Sequence, residues 1–386
     1  MKKTLFATLS LSLAFAVLPV MAVPAFQILP LRKNHAQPES GAYKLPALQN
    51  PASWTFVLFP DTQAYVKYTQ NTGILDIMNA WIAGNIRNLN IQFALGTGDI
   101  ANTNGLPAYD FYQTPFGPRM ESPPELQFQR AARSFGILDG LLPCILCTGN
   151  HDYGHSGSGG TQNRDTWFND YFPVSKNPAN LPHLRKLALN ARERPTLENA
   201  AFEFLPPNGM KILVLSLEFL PRDEILEWAK KLCADPRYEN HTVILLTHLY
   251  LNGHAKKSTR IDNARYKIPG NHGEAVWQKL VKPSKNIRLV LSGHIGSTGD
   301  IDANTGFRTD KNDSGKNVHQ MAFNAHATGG GWDGNGGDGW LRYFEFLPDN
   351  KTVVVRTFSP FFALSVSTRD LAWRKDPRDE FTFVIE

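Results

Sequence analysis

Five apolar segments of this chain run directly into residues able to bind a cation or move a proton. Val57-Leu58-Phe59-Pro60 leads into Asp61-Thr62-Gln63, and Phe93-Ala94-Leu95 leads into Gly96-Thr97-Gly98-Asp99. Ile145-Leu146-Cys147 leads into Thr148-Gly149-Asn150-His151-Asp152, Ile244-Leu245-Leu246 into Thr247-His248, and Val290-Leu291 into Ser292-Gly293-His294. Carboxylate, amide and imidazole groups together suit a hard or borderline divalent ion. One strand-end Asp is ordinarily a turn former, and one His is ordinarily a satisfied core or surface group. Five such endings in series, three of them behind glycine, point instead to a metal site. No G-x-S-x-G or P-loop pattern offers a competing nucleophile or phosphate cradle.

Such residues need elements that bring them to one place. The apolar runs predict strands over 55–59, 91–95, 142–147, 211–217, 242–246 and 287–291. Helical spacing of apolar residues predicts helices over 74–89, 126–138, 223–232 and 274–281. Alternation of this kind argues for a layered α/β fold, in which ligand sites form at the carboxyl ends of the strands. After about residue 315 strands follow one another without helices, over 318–324, 341–347, 352–357 and 381–385, which predicts an antiparallel sheet region. Two sheets packed face to face with helices outside accommodate both patterns in one domain. The segment 173–197, rich in Pro, Asn, Arg and Lys, reads as a surface excursion between strands.

Met1-Lys2-Lys3 and the apolar run from Leu5 to Val20, ending in Val20-Met21-Ala22, read as a secretory leader over residues 1–22. An N-terminal extension over 23–50 and a single domain over 51–386 follow. The expected location is periplasmic or secreted, with no membrane span left after leader removal. The net charge of +5 becomes +3 without Lys2 and Lys3, and the basic residues are scattered. That suits an anionic substrate and gives no nucleic-acid signature. Cys144 and Cys147 lie three apart in a buried strand, so they read as packed thiols facing opposite ways, and Cys233 as unpaired.

The order D-x-[HQ], GD, GNHD, H, GH resembles the calcineurin-like metallophosphoesterase superfamily over residues 54–360. The Asp-Thr-Gln start and the late Gly-Gly-Asp-Gly-Trp-Leu-Arg stretch are most similar to a group of exported bacterial phosphoesterases. The resemblance implies a two-sheet β-sandwich flanked by helices and one or two divalent ions per chain, whether Mn, Zn, Fe, Mg or Ca. It further implies a metal-activated water attacking the phosphorus of a phosphate mono- or diester, with a phosphorylated small molecule or other phosphoester as substrate. Asp99 maps to the bridging carboxylate. Asn150, His248 and His294 complete the second ion's ligands, His151 maps to the group assisting the leaving oxygen, and Asp152 is expected to orient its imidazole.

The first ion's positions are Asp61, Gln63, Asp99 and Gly296, so its last ligand is missing. Water or a backbone carbonyl can fill the gap, Asp300 or Asp302 can replace the lost histidine, or one ion alone is held. The alternative to an enzyme is a metal- or ligand-binding protein of the same fold that has lost turnover. Tyr153, His155 and Arg164, directly after GNHD, are candidate substrate contacts, as are Asn324 and His326 near the glycine-rich stretch 329–339. Asn271 in Gly270-Asn271-His272-Gly273 is expected to cap a helix. The calcium-loop look-alike at 300–304 lacks the glycine and glutamate such a loop requires.

Overall fold

The strands leading to the candidate site carry no polar alternation because both of their faces are buried. In Trp54–Phe59, Phe56 and Leu58 enter the core between two sheets while Val57 and Phe59 pack under helices on the outer face. In Thr242–Leu246, Ile244 and Leu246 face the same central core and Val243 and Leu245 the opposite outer layer. A two-residue period thus divides each strand between two apolar environments. Burying one such Leu, Val or Phe side chain is worth about 1.5–3 kcal/mol.

The computed structural model describes residues 43–105, 111–114, 117–154, 159–263 and 266–386, with 111–114, 117–120 and 301 described in the backbone only. The expected leader, most of the expected extension and His155 lie outside the described residues. Within them no helix is long and apolar enough to cross a membrane.

The first sheet runs in the order Trp373–Arg374, Thr352–Phe358, Leu341–Phe346, Trp54–Phe59, Ile91–Gly96 and Cys144–Leu146, with Phe381–Val384 also pairing to Thr352–Phe358. The second runs Thr305–Lys311, Asn317–Phe323, Ile287–Ser292, Thr242–Leu246, Ile212–Ser216, Pro195–Phe204 and Leu184–Leu189. Helices Thr72–Asn85 and Pro124–Phe135 cover the outer face of the first sheet. Asp223–Ala234, with Gly273–Val276 continuing as a π-helical turn Trp277–Val281, covers the second. The architecture is the two-sheet α/β sandwich read from the sequence. Aromatic rings stitch its centre: Phe56 stacks on Phe344 at 4.4 Å, and Phe93 of one sheet on Phe204 of the other at 4.3 Å, each pair adding about 0.5–1.5 kcal/mol beyond area burial.

The strands preceding the candidate residues are parallel within their sheets, and their register levels the strand ends. Phe59 pairs with Gly96, and Gly96 with Leu146, so the chain leaves the first sheet side by side toward Asp61, Asp99 and Asn150. Leu291 pairs with Leu246, which does the same for His294 and His248 in the second sheet. Cys144 and Cys147 are buried free thiols in different cores, as their spacing predicts, and Cys233 is also free.

Two expectations about the elements are corrected. The segment 173–197 is not a simple excursion, because Leu184–Leu189 and Pro195–Phe204 form an antiparallel hairpin at the edge of the second sheet. Its outer strand exposes Arg185, Lys186 and Leu189, and charges on an edge deter pairing with other chains while masking the strand signal. Asn271 does not cap the helix, whose N-cap is His272. Its amide donates to the Pro221 carbonyl and to Asp223 and accepts from Lys279, tying the loop to the preceding helix.

Candidate metal centre

The turns that follow the strands are tight enough to force unusual backbone. Asp99 and His294 adopt φ of +48° and +69°, and Gly98 between strand and carboxylate adopts +99°. Non-glycine residues at positive φ carry strain that persists only where the surroundings impose it. The glycines before Asn150 and His294 are required by close approach. A Cβ on Gly149 would lie 2.1 Å from Asp99 Oδ1 and 2.4 Å from its backbone nitrogen, and one on Gly293 would lie 2.0 Å from Asp61 Oδ1. Gly149→Ala should therefore displace Asp99. We expect about 1–3 kcal/mol of destabilisation from overpacking and roughly 100-fold loss of turnover from misplaced ligands. Urea unfolding and steady-state kinetics measure the two effects, and wild-type kinetics in the variant would contradict the steric account.

Four donor atoms converge from both sheets. Asn150 Oδ1 lies 3.0 Å from His248 Nε2 and 2.9 Å from His294 Nδ1, the two imidazole nitrogens are 3.2 Å apart, and Asp99 Oδ2 is 3.3 Å from His248 Nε2. Ligands about 2.1 Å from a common ion stand roughly 3.0–3.4 Å apart in octahedral or tetrahedral arrangements. The orientation of each group is fixed from behind. His248 Nδ1 donates to the Thr97 carbonyl at 2.8 Å, which leaves the Nε2 lone pair turned inward. Asn150 Nδ2 donates to the Gly159 carbonyl at 3.2 Å, which turns Oδ1 toward the two histidines.

The electrostatics call for a cation. Asp61 and Asp99 are almost wholly buried, and among the described residues their ion pairs run to histidines and not to Lys or Arg. Burial, reinforced by Asp99, pushes Asp61 up to about 8 despite His248. Burial also opposes ionisation of Asp99, but His248 and His151 outweigh it and hold that carboxyl well below its ordinary range. Burial disfavours charge on His248, yet Asp99 and Asp61 raise it to about 9, whereas burial and His248 lower His294 to about 3. Carboxyl oxygens, imidazole nitrogens and an oriented amide oxygen are the donor types of a divalent ion, which would displace the protons that Asp61 and His248 otherwise hold, and Asp99, His248 and His294 cluster closely enough to share one.

His151 stands beside this cluster. Its backbone N–H donates to Asp99 Oδ1 at 2.9 Å, and its Nδ1 lies 2.6 Å from the Asn102 carbonyl. That carbonyl, not Asp152, orients the ring, which corrects the sequence expectation. Asp152 Oδ1 accepts from the backbone N–H groups of Ile100 and Ala101 at 2.9 and 3.1 Å, and Oδ2 from that of Gly149 at 2.8 Å. Asp152 thereby pins the loop after one strand to the loop after the next. Removing it strands three buried donors, each costing about 1–3 kcal/mol. Asp152→Ala should lose roughly 3 kcal/mol or more of stability in urea unfolding, and a loss below about 1 kcal/mol would contradict this anchoring role.

Around Asp61 the set is different. Asp61 Oδ1 accepts from Thr97 Oγ1 at 2.8 Å, and Oδ2 accepts from the His294 N–H at 3.0 Å and from Asn324 Nδ2 at 2.5 Å. Gln63 Nε2 donates to Asp99 Oδ2 at 3.2 Å. Neither expected carboxylate replaces the histidine lost at Gly296. Asp300 is exposed and caps the short helix Ile301–Asn304, and Asp302 is paired with Arg378.

Of the candidate substrate contacts, Tyr153 and Arg164 are built into the scaffold. Tyr153 is buried, with its hydroxyl 2.5 Å from Glu198 and 3.0 Å from Thr148. Arg164 donates to the carbonyls of Phe219, Leu220 and Pro269 and lies 3.5 Å from Glu218. Asn324 and His326 do reach the site, as partners of Asp61. The sequence reading missed the supporting roles of Thr97 and the Asn102 carbonyl. Trp332, in the glycine-rich stretch that the sequence placed near the site, is half exposed with its ring 4.8 Å from that of His326.

A family model for calcineurin-like phosphoesterases matches residues 55–297, most of the chain, and the protein belongs to that family. Uncharacterized protein YvnB of Bacillus subtilis is 27% identical over 316 residues, which is 80% of this chain and 20% of the relative, so the chain spans about a fifth of that protein. Solved structures with a distant likeness include GAP50, the anchor in the inner membrane complex of Plasmodium, at TM-score 0.40 and 12% identity over 86% of this chain and 89% of that one. Sulfate thiohydrolase SoxB of Thermus thermophilus is another, at TM-score 0.36 and 10% identity over 89% of this chain and 58% of that one.

Proposed function

We propose that this protein hydrolyses a phosphate mono- or diester, with Asp99, Asn150, His248 and His294 holding a divalent ion and His151 assisting the leaving oxygen. The observation that supports this reading most is the convergence of those four donor atoms within 2.9–3.3 Å contacts, directly beside His151. When bound, a divalent ion lowers the pKa of water, polarises the phosphoryl group and neutralises developing charge.

The chain's own residues supply the rest. Asp99 keeps Oδ1 on the His151 backbone and presents Oδ2 between His248 and Gln63, so a single anionic oxygen faces both ligand groups. His151 donates its Nδ1–H to the Asn102 carbonyl, so that in its doubly protonated form the remaining Nε2–H would pass to the departing oxygen and leave a neutral imidazole. Trp332 and the glycine-rich turn border the site and offer a flat apolar surface to the substrate's organic part. The test is an assay of the purified protein on p-nitrophenyl phosphate and its bis-ester with Mn²⁺, Zn²⁺, Mg²⁺ or Ca²⁺ added in turn. Metal-dependent release from at least one ester is expected. Absence of release from both, with metal bound, would leave a metal-binding protein without turnover.

A further inference from the structure

We propose that His326 is the imidazole ligand of a second ion, bound with Asp61, Gln63 and Asp99 in place of the side chain that Gly296 lacks; this rests on the metal-dependent reading above. His326 is 6% exposed, and among the described residues its Nδ1 has no hydrogen-bond partner. Leaving such a nitrogen buried and unpaired costs about 1–3 kcal/mol, which calls for an explanation. The atom lies 3.9 Å from Asp61 Oδ2. That is too far for a hydrogen bond, yet within the roughly 4.2 Å that can separate two ligands each about 2.1 Å from one ion.

A second orphan belongs to the same group. Gln63 is 2% exposed, its Nε2 rests on Asp99 Oδ2, and among the described residues its Oε1 is unpartnered. Two buried carboxylates and two unpaired neutral donors are thus gathered where the sequence offered three ligands and a gap. Water too can satisfy buried polar atoms, but an imidazole held by this much structure argues for a ligand.

Position and space both favour that role. Asn324 Oδ1 accepts from the backbone N–H groups of Ala325 and His326, while its Nδ2 donates to Asp61 Oδ2. One amide therefore clamps the turn bearing His326 to the carboxylate it would share an ion with. A Cβ at position 296 would come within 3.2 Å of His326 Cε1 and 2.8 Å of Trp332 Cη2. Glycine at 296 therefore leaves room that a side chain would crowd, and the His326 and Trp332 rings pack together beside it. A substrate contact, the role first expected of His326, would give no reason for this exchange of space.

The experiment is metal counting. Chelated wild type, His326→Ala and His326→Gln are equilibrated with Mn²⁺ and analysed for bound metal, for Mn–Mn coupling by electron paramagnetic resonance, and for folding by thermal melting. Wild type should bind two ions with a coupled signal. His326→Ala should keep one ion, lose the coupling and bind the second more weakly by well over roughly 100-fold, above the range of about 10–100-fold expected from losing an outer partner. If His326→Ala does not fold, His326→Gln should still show weaker second-ion binding. Two ions bound equally by wild type and variant, or one ion bound equally by both, overturns the assignment and leaves the first site intact. No ion bound by wild type overturns the metal-dependent reading as well.

Discussion

Asp99→Asn is expected to leave a folded protein whose metal-dependent hydrolysis is reduced by roughly 10³-fold or more, the equivalent of about 4 kcal/mol of lost transition-state stabilisation. Folding should survive for a backbone reason. Asp99 sits at φ +48°, and asparagine is among the side chains that tolerate this left-handed region best. The amide also matches the carboxylate in size, so neither Gly149 nor Gly98 would be crowded. What changes is charge. Asp99 Oδ2 is 3.3 Å from His248 Nε2 and 3.2 Å from Gln63 Nε2, and no other anionic oxygen faces both groups among the described residues. If the amide keeps its oxygen on the His151 N–H, its NH₂ points where cations must bind. Kinetics with saturating metal, alongside a thermal melt, measure the effect; retention of more than about a tenth of wild-type turnover would contradict the placement of Asp99.

His151→Ala should produce a loss that depends on the leaving group. General acid assistance is worth about 10²–10⁴-fold, but only when the departing oxygen needs a proton. Alkyl and phenyl esters should therefore lose most of that range, whereas p-nitrophenyl esters, whose product anion is stable, should lose far less. The ring is positioned for this by the Asn102 carbonyl on Nδ1, with its backbone N–H on Asp99. Comparing kcat across a series of leaving groups in wild type and variant gives the readout. An equal loss for every ester would assign His151 to positioning alone.

The site's outline was legible in the sequence because strands buried on both faces read as unbroken apolar runs, so the polar residue ending each run stands out. Asp61, Asp99, Asn150, His248 and His294 were all found this way, and the parallel register brings them together. Elements at the sheet edges were harder. Leu184–Leu189 and Thr305–Lys311 carry Arg, Lys, Asp and Thr because edge strands face water, and that mixture resembles a loop. The partners of Asp152 were invisible for another reason: they are backbone N–H groups, which leave no trace in residue identity. The same holds for the carbonyl orienting His151. His326 is the most instructive case, since its meaning depends on space left by Gly296, a residue that seemed only to mark a deficit.

The most direct test of the central account is reconstitution. The purified protein is stripped with a chelator, titrated with Mn²⁺, and its bound metal and phosphoester hydrolysis are followed together in wild type and in His248→Ala. Activity should vanish with the metal, return in proportion to metal bound, and fail to return in His248→Ala, because the Nε2 that meets Asn150 and Asp99 is gone. Hydrolysis that persists after chelation, or that returns undiminished in His248→Ala, would contradict the central account.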